Sequence, residues 1–291
     1  MAVEVEVAVQ VAANGSGPTG TGAIVAPVRR ALLLAAATAL GGAGLVSVLW
    51  LTLPDPAAVR TKNPRTTAVI EQRRAEALER RRAFRPRQSW VGLDRISPAL
   101  VDAVIVSEDA RFFAHGAFDW TEVEAAADAS LRAGRALRGA STLTQQLAKN
   151  LWLGTERTAW RKAKEALLAV KLERTVPKRR ILALYLNVAE WGEGVFGAEA
   201  AARARFGEAA SDLSPAQGAL LAAMLPAPRR ADLAHPSRGL ARRARRILDR
   251  LLAAGKLDQL SHAHASAELD RYLTGAGGGM DDADDPDDPV E

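Results

Sequence analysis

The sequence predicts an all-α globular domain preceded by one N-terminal transmembrane helix. Residues 31–53 form an uncharged apolar run, and a helix of that length, at about 1.5 Å per residue, can cross a bilayer. Beyond residue 90 the apolar side chains recur with the 3.6-residue period of amphipathic helices. We find no segment with the period-two alternation that is typical of a half-buried strand.

The charge is unevenly distributed along the chain. The formal net charge is +5, but residues 280–291 carry seven acidic residues and residues 1–28 carry two, with no basic residue in either segment. Residues 29–279 therefore carry +14, which favours anionic partners such as phosphates or lipid headgroups. Few aromatic residues accompany these charges, so we predict no nucleic-acid partner. The absence of cysteine excludes disulfides, thiolate catalysis and thiolate metal sites.

The N-terminal part divides into three predicted segments. Residues 1–28 are rich in Gly, Ala, Val and Thr without a helical period, and we predict a disordered cytoplasmic tail. Residues 29–53 are predicted to be a transmembrane anchor. The alternatives are a signal peptide or a buried core helix, but the run is long for a signal sequence and no clear cleavage site follows it. Residues 54–89 form a basic juxtamembrane linker or helix that either rests on anionic headgroups or is simply solvated.

The predicted globular domain spans residues 90–273, and its first helix carries the most informative stretch. Ser97 and Pro98 are suited to the N-cap and first position of a helix. Glu108 continues the apolar stripe of residues 101, 104 and 105, so its carboxyl is expected at the edge of the buried face. Burial would raise the pKa of the Glu108 carboxyl, which suits a general base or acid. The alternative is a helix whose C-terminal end is solvated.

A turn with hydroxyl side chains follows. Gly139 permits a tight turn before Ser141 and Thr142, either of which can cap the next helix. The free N–H groups and hydroxyls at such a helix start can bind an anion or a sugar, although most such turns only cap.

A cationic helix face comes after this turn. Arg157, Arg161 and Lys164 share one face with Glu165. These cations could clamp a phosphate around the carboxylate. Alternatively, Arg161 and Glu165 form an ordinary i,i+4 pair.

The remaining segments carry weaker signals. A helix opens at Pro177 and ends in a Gly-rich loop that contains Glu190 and Glu193, which either line a groove or are solvated. Residues 214–217 have the composition of a capping box, and the basic amphipathic helix near residues 240–252 is expected to present its arginines to solvent. Residues 274–291 are predicted to be a disordered acidic tail.

Four ordered motifs resemble those of the peptidoglycan glycosyltransferases of glycosyltransferase family 51, in particular the monofunctional biosynthetic transglycosylases. The resemblance extends over about residues 90–250. The matching positions are Glu108, Asp109, Phe112, His115 and Asp119; Gly139, Ser141, Thr142, Thr144, Gln145 and Gln146; Arg161, Lys162 and Glu165; and Ile181, Leu182, Tyr185, Leu186 and Asn187. Ala117 departs from the pattern, because the family has a glycine there, and would strain the turn if that residue needs a positive φ.

The resemblance implies a lysozyme-like all-α domain that polymerises lipid II into β-1,4 glycan strands in cell wall biosynthesis. Glu108 would take the proton of the acceptor 4-hydroxyl, and undecaprenyl pyrophosphate would leave with inversion at the donor sugar. Glu165 matches the family's second essential glutamate, and fixed cations would stabilise the leaving pyrophosphate. The substrate- and pyrophosphate-binding residues implied are Lys149, Arg157, Arg161, Lys164, Ser141, Thr142, Gln145, Gln146, Asp109 and His115.

The resemblance implies no obligatory cofactor. A divalent cation, Mg²⁺ or Mn²⁺, assists at the pyrophosphate in some members, but the sequence contains no separate metal-ligand cluster. The implied partners are lipid II, the growing glycan chain, the cytoplasmic membrane and other cell-wall synthesis proteins. Because arginines lie on both sides of the anchor, charge leaves its orientation open. The family polymerises lipid II on the outer face of the cytoplasmic membrane, which implies a domain in the periplasm or its equivalent.

Three alternatives compete with this interpretation. A lysozyme-like or lytic glycan-cleaving enzyme also uses a carboxylate in an all-α domain, but it has no evident need for a cationic face. A non-enzymatic membrane scaffold would not need Glu108 or the turn at residues 141–146. A bifunctional penicillin-binding protein requires Ser-x-x-Lys and Lys-Thr-Gly motifs, and neither occurs.

Overall fold

A computed structural model describes residues 21–134 and 139–275. The chain divides into two compact units at the boundary between Leu53 and Pro54. Residues 1–20 and 276–291, which contain most of the two tails predicted to be disordered, lie outside the described residues.

The described part of the first unit consists mainly of one long helix, α1 (Thr21–Thr52). It begins eight residues before the predicted start of the anchor at residue 29. Its stretch Leu32–Thr52 contains 21 residues, is strongly apolar and is only 6% buried within the protein. An apolar helix of this length whose side chains are mostly exposed fits a membrane span. Within the described residues it is the one helix that meets this description, as the sequence predicts.

The second unit is helical throughout most of its length, which confirms the predicted all-α class. Its helices are α2 (Ala57–Thr61), α3 (Ala68–Glu79), α4 (Pro98–Glu108), α5 (Trp120–Ala133), α6 (Leu143–Ala148), α7 (Ala159–Thr175), α8 (Lys178–Val188), α9 (Ala198–Phe206), α10 (Pro215–Met224), α11 (Arg238–Ala253) and α12 (Gln259–Gly275). A 3₁₀ turn (Leu93–Arg95) precedes α4, and a π-helical turn (Lys149–Leu153) follows α6.

Helix α10 forms the centre of the core. The predicted capping box is present, because the side chains of Ser214 and Gln217 each accept from the other residue's backbone N–H. Every residue of α10 from Ala216 to Met224 is buried, and α4, α11 and α12 pack against it. A side chain at Gly218 would begin only 3.0 Å from the backbone of Ala99, so glycine permits the close approach of α4. This packing fixes the helix that carries Glu108.

A small sheet interrupts the helical pattern. Its strands are β1 (Arg87–Gln88), β2 (Glu190–Gly192) and β3 (Val195–Phe196), in the order β1-β3-β2. Strand β1 runs parallel to β3, and β2 runs antiparallel to it. The sequence indicated only a Gly-rich loop here, because strands of two or three residues are too short to show alternation.

Helix α3 is part of the folded domain rather than a solvated linker. Val69 and Ile70 are buried and pack with Phe196 of β3. Arg73 donates from Nε to both carboxylate oxygens of Glu190 and from Nη2 to Oε2, the last at 2.9 Å. Its Nη1 donates to Glu76 at 2.8 Å. The Arg73 and Glu190 side chains are only 12% and 6% exposed. Glu190 is therefore not a solvated loop acid but half of a buried ion pair.

Replacing Arg73 by alanine should destabilise the domain far more than replacing Arg74. Loss of Arg73 leaves the Glu190 carboxylate buried without its partner, which costs about 3 kcal/mol. Arg74 pairs with Glu71 in an exposed position, 53% and 46% exposed, and its loss should cost roughly 0.5 kcal/mol. Denaturant unfolding of the full chain in detergent micelles measures both. Equal small losses would show that the Arg73 pair does not anchor α3.

Candidate active site

Helix α4 places Glu108 at the edge of the core. Ser97 caps its N-terminus by accepting from the Ala99 N–H at 3.2 Å, and Pro98 occupies the first turn, as predicted. Glu108 is the last residue of α4 and is half-buried. Desolvation raises the pKa of the Glu108 carboxyl, and the negative charge of Asp109 adds to the rise. A hydrogen bond from Gln146 and the positive charges of Lys149 and Arg243 oppose it.

The loop after α4 is held in place by its own acidic side chains. Asp109 accepts from the Leu143 N–H at 2.9 Å through one oxygen, and its other oxygen lies 2.6 Å from Nε2 of His115. Asp119 caps α5 by accepting from two backbone N–H groups. The Asp109 and His115 side chains are only 3% and 6% exposed. They were predicted to bind substrate, but we interpret them as positioning residues that join this loop to α6.

Asp109, His115 and Asp119 also have the atom types of a metal site. One ligand atom from each lies within 4.8 Å of the others. However, the 2.6 Å contact joins the His115 nitrogen directly to the Asp109 carboxylate, which leaves no space for a cation between those two atoms. The geometry fits a hydrogen-bonded Asp109–His115 pair, with Asp119 Oδ2 3.9 Å from His115 Nε2, better than a set of metal ligands.

The turn at residues 139–142 connects this loop to the start of α6. Thr142 caps α6 by accepting from the Gln145 N–H at 3.2 Å, and its hydroxyl donates to the Ala117 carbonyl at 3.0 Å. Ala117 stands where the family has glycine, yet Arg81 is the one non-glycine residue with positive φ in the described chain. Ala117 therefore fits its turn without backbone strain.

Helix α6 brings Gln146 to Glu108. The Nε2 of Gln146 donates to Glu108 Oε2 at 2.7 Å. The next turn of the chain is π-helical and begins at Lys149, a geometry that is rare and frequent at functional sites. Desolvation lowers the pKa of Lys149, and the charges of Arg161 and Lys162 lower it further, while those of Glu165 and Glu108 raise it. Lys149 therefore lies in the electrostatic field of both glutamates.

A cationic cluster surrounds Glu165 on helix α7. Glu165 is 3% exposed and forms ion pairs with Arg161 and with Lys162, the latter at 2.5 Å. Lys162 also donates to Ser141 at 3.0 Å and to Gln145 at 3.4 Å. The predicted hydroxyl turn and the predicted cationic helix thus meet at one place. The buried carboxylate is the counter-ion that holds these cations together.

The predicted site residues do not all converge. Lys164 lies over the ring of Trp160, with Nζ 5.3 Å from the centroid, and Lys162 is the lysine that joins the cluster. Arg157 is exposed in the segment before α7. Sequence reasoning missed Arg243 of α11, whose charge acts on Glu108 and whose Nε donates to the Ala223 carbonyl at 3.2 Å. On sequence it was one of several arginines on an amphipathic helix, and no signal separated it from the others.

A carboxylate with a raised pKa beside a cluster of fixed cations defines a class of enzyme. This arrangement suits enzymes that catalyse group transfer, in which a hydroxyl loses its proton to the carboxylate and the cations stabilise an anionic leaving group. Comparison with known proteins gives the particular family: residues 73–252 match the family model described as Transglycosylase. The chain belongs to the transglycosylase family.

Three relatives are similar to this chain over 59–66% of its length. The biosynthetic peptidoglycan transglycosylase of Laribacter hongkongensis is 48% identical over 189 residues, which is 65% of this chain and 83% of that protein. The one of Chromobacterium violaceum is 48% identical over 66% of this chain and 84% of its own length. The one of Rhodospirillum centenum is 52% identical over 59% of this chain and 74% of its own length.

Proposed function

We propose that this protein is a peptidoglycan glycosyltransferase that polymerises lipid II into β-1,4 glycan strands and releases undecaprenyl pyrophosphate. The observation that carries this is the position of Glu108, a carboxyl with a raised pKa in the electrostatic field of Lys149. Family membership and the names of the relatives support the same activity.

Glu108 is the general base of the proposed reaction. Its carboxylate takes the proton from the 4-hydroxyl of the acceptor sugar as that oxygen attacks the anomeric carbon of the donor chain. The bond from that carbon to the pyrophosphate oxygen breaks, and the electron pair leaves with the pyrophosphate. Attack and departure on opposite faces invert the anomeric configuration. A raised pKa brings the base closer to the working pH, which favours proton transfer.

The cationic cluster stabilises the leaving group. Lys149, Arg161 and Lys162 are fixed charges on neighbouring elements, and Arg157 lies exposed in the segment before α7. Charges that are already in place when the pyrophosphate departs need no reorganisation in the transition state. The carboxylate in this cluster, Glu165, is already paired with two cations. The donor set therefore fits an anion rather than a divalent cation.

The membrane helix brings the enzyme to its lipid-linked substrate. We place α1 across the cytoplasmic membrane, residues 54–89 next to it and the catalytic domain on the periplasmic or outer face. The apolar stretch Leu32–Thr52 supports the anchor. The orientation follows from the side on which lipid II is polymerised.

The direct test is incubation of the detergent-solubilised full chain with labelled lipid II, with products separated by size. Polymer that lysozyme digests supports the glycosyltransferase. Cleavage of preformed glycan without polymer would favour the lytic alternative and make Glu108 a general acid. A folded protein with neither activity would contradict both proposals.

Lys162→Gln should slow polymerisation and Lys164→Gln should not. Lys162 bonds Glu165 and Ser141, whereas Lys164 lies over Trp160. We expect about a ten- to hundredfold lower turnover for Lys162→Gln, since a hydrogen bond to a charged group contributes roughly 1.5–3 kcal/mol. The measurement is the steady-state rate of lipid II polymerisation by the two variants, whose substituted lysines lie on the same helix. Unchanged turnover in Lys162→Gln would mean that the cluster around Glu165 is not part of the site.

A further inference from the structure

Tyr185 lies at the far end of a hydrogen-bonded chain that reaches the proposed base. Tyr185 belongs to helix α8 and is 1% exposed. Its hydroxyl donates to Gln146 Oε1 at 3.0 Å, and Gln146 Nε2 donates to Glu108 Oε2 at 2.7 Å. Three elements, α8, α6 and α4, are thus joined through side chains that end on the Glu108 carboxyl.

The direction of these bonds decides what the chain does. A glutamine amide has one accepting and one donating end, so a donor at its oxygen turns the amino group the other way. Burial raises the pKa of the Tyr185 hydroxyl well above its ordinary value, and the Glu108 charge contributes to the rise. Tyr185 therefore keeps its proton over the working range of pH and remains able to donate. The amino group of Gln146 is then held toward Glu108.

Packing of the Tyr185 ring in the core does not by itself require a hydroxyl. Its neighbours on α8, including Leu182, Leu184 and Leu186, are buried apolar residues, and phenylalanine would fill the same space. Asn187, the other polar residue of this motif, bonds the backbone of Val91 and Ala183 and has a structural role. A buried phenol that donates to the partner of the base calls for a different explanation.

We propose that Tyr185 is a positioning residue for catalysis: it orients the Gln146 amide, which in turn aims the Glu108 carboxylate and favours its ionised form. This inference rests on the proposed role of Glu108. Without the Tyr185 hydroxyl the amide is free to turn its oxygen toward Glu108. An amide oxygen at that place repels the ionised carboxylate and accepts a hydrogen bond from the protonated acid. The protonated form of Glu108 is then favoured, and its pKa rises.

Several charges face Glu108 and set the background for this effect. Asp109 lies next to it on the chain, Lys149 belongs to the π turn and Arg243 belongs to α11. The Tyr185 hydroxyl donates to Gln146 and not to one of these three charged residues. Removing that hydroxyl therefore changes the hydrogen bond from Gln146 while the surrounding charges stay in place.

Tyr185→Phe is the decisive variant, measured as the pH dependence of lipid II polymerisation by the full chain in detergent. We expect kcat to fall about tenfold, the equivalent of one hydrogen bond, with little change in KM. The acid limb of the pH profile should move to higher pH, because Glu108 then gains its proton more readily. A purely structural role would lower the amount of folded enzyme without moving that limb. An unmoved acid limb in folded Tyr185→Phe protein overturns the proposal.

Tyr272→Phe is the matched control. Tyr272 is the chain's other tyrosine, and its hydroxyl accepts from the Gln217 amide at 2.9 Å. It therefore also contacts a glutamine, but on α12 and α10 and not at Glu108. Its removal should leave the acid limb unchanged. An equal movement of the acid limb in both variants would count against a specific role of the hydrogen-bonded chain from Tyr185 to Glu108.

Gln146→Leu provides a second test that does not depend on the folding of Tyr185→Phe. It should move the acid limb in the same direction, and the double variant should be no worse than Gln146→Leu alone, because both act through one bond. Additive losses of kcat in the double variant, or an unmoved acid limb in Gln146→Leu, would overturn the proposed positioning role of Tyr185. Full activity in Glu108→Gln would instead overturn the proposed function, so the two failures are distinguishable.

Discussion

Glu108→Gln should slow polymerisation by about two to four orders of magnitude while the protein remains folded. The amide has nearly the same shape and can still accept from Gln146, which donates to the carboxylate at 2.7 Å in the parent. It cannot accept the proton of the acceptor hydroxyl. General base catalysis is worth about 10²–10⁴-fold, so we expect a loss of kcat in that range with lipid II binding retained. Product analysis by size and a binding assay with labelled lipid II measure the two separately.

The raised pKa of Glu108 also predicts the sign of the stability change. Because its pKa is higher in the folded than in the unfolded chain, the folded state binds more protons between the two values. Stability therefore falls as pH rises through that window, and above it the ionised Glu108 costs stability. Glu108→Gln removes this cost and should be at least as stable as the parent at neutral pH. An inactive variant that unfolds more easily would not support the base role.

An exposed glutamate provides the control. Glu193 lies in the hairpin between β2 and β3 and is exposed, and the sequence left open whether it lines a groove. Glu193→Gln should retain the turnover of the parent. Near-normal turnover in Glu108→Gln would remove Glu108 from the base role, whatever the control showed.

The parts of the site predicted from the sequence were those that follow from local periodicity. The cap at Ser97, the capping box at Ser214 and the position of Glu108 on the edge of a buried stripe depend on spacing within one helix, and all three are observed. The sequence did not identify which lysine pairs with Glu165. Positions three and four before a residue both face it, so spacing admitted Lys162 as well as Arg161, while Lys164 is only one residue away.

The features that the sequence did not reveal depend on long-range contacts. Glu190 pairs with Arg73, which is 117 residues away in the chain, and no local pattern indicates such a partner. The chain from Tyr185 through Gln146 to Glu108 joins three helices, and no local spacing indicates that these side chains bond one another. The buried roles of Asp109 and His115 likewise depend on how their loop meets α6.

Lys149→Met should lower kcat by about 10²–10³-fold, the usual cost of removing one preorganised group that stabilises developing charge. The loss should appear in kcat more than in KM, because the pyrophosphate carries its full leaving-group charge only as the bond breaks. The variant should fold, since desolvation lowers the pKa of Lys149 and its buried charge is a cost to stability rather than a support. Single-turnover rates and substrate titrations with lipid II measure the two parameters. A rise in KM at constant kcat would assign Lys149 to ground-state binding.

Lys149→Arg separates charge from shape by its pH dependence. The lowered pKa of Lys149 means that its ammonium loses the positive charge as pH rises through that value, so the parent enzyme should slow on the alkaline side. Arginine stays charged at all working pH values, and the alkaline limb should therefore move to higher pH even if the larger guanidinium lowers the maximum rate. The acid limb, set by Glu108, should keep its position apart from the small effect of the new charge. If the alkaline limb does not move, a group other than Lys149 sets it, and the loss of kcat in Lys149→Met alone then tests the leaving-group role.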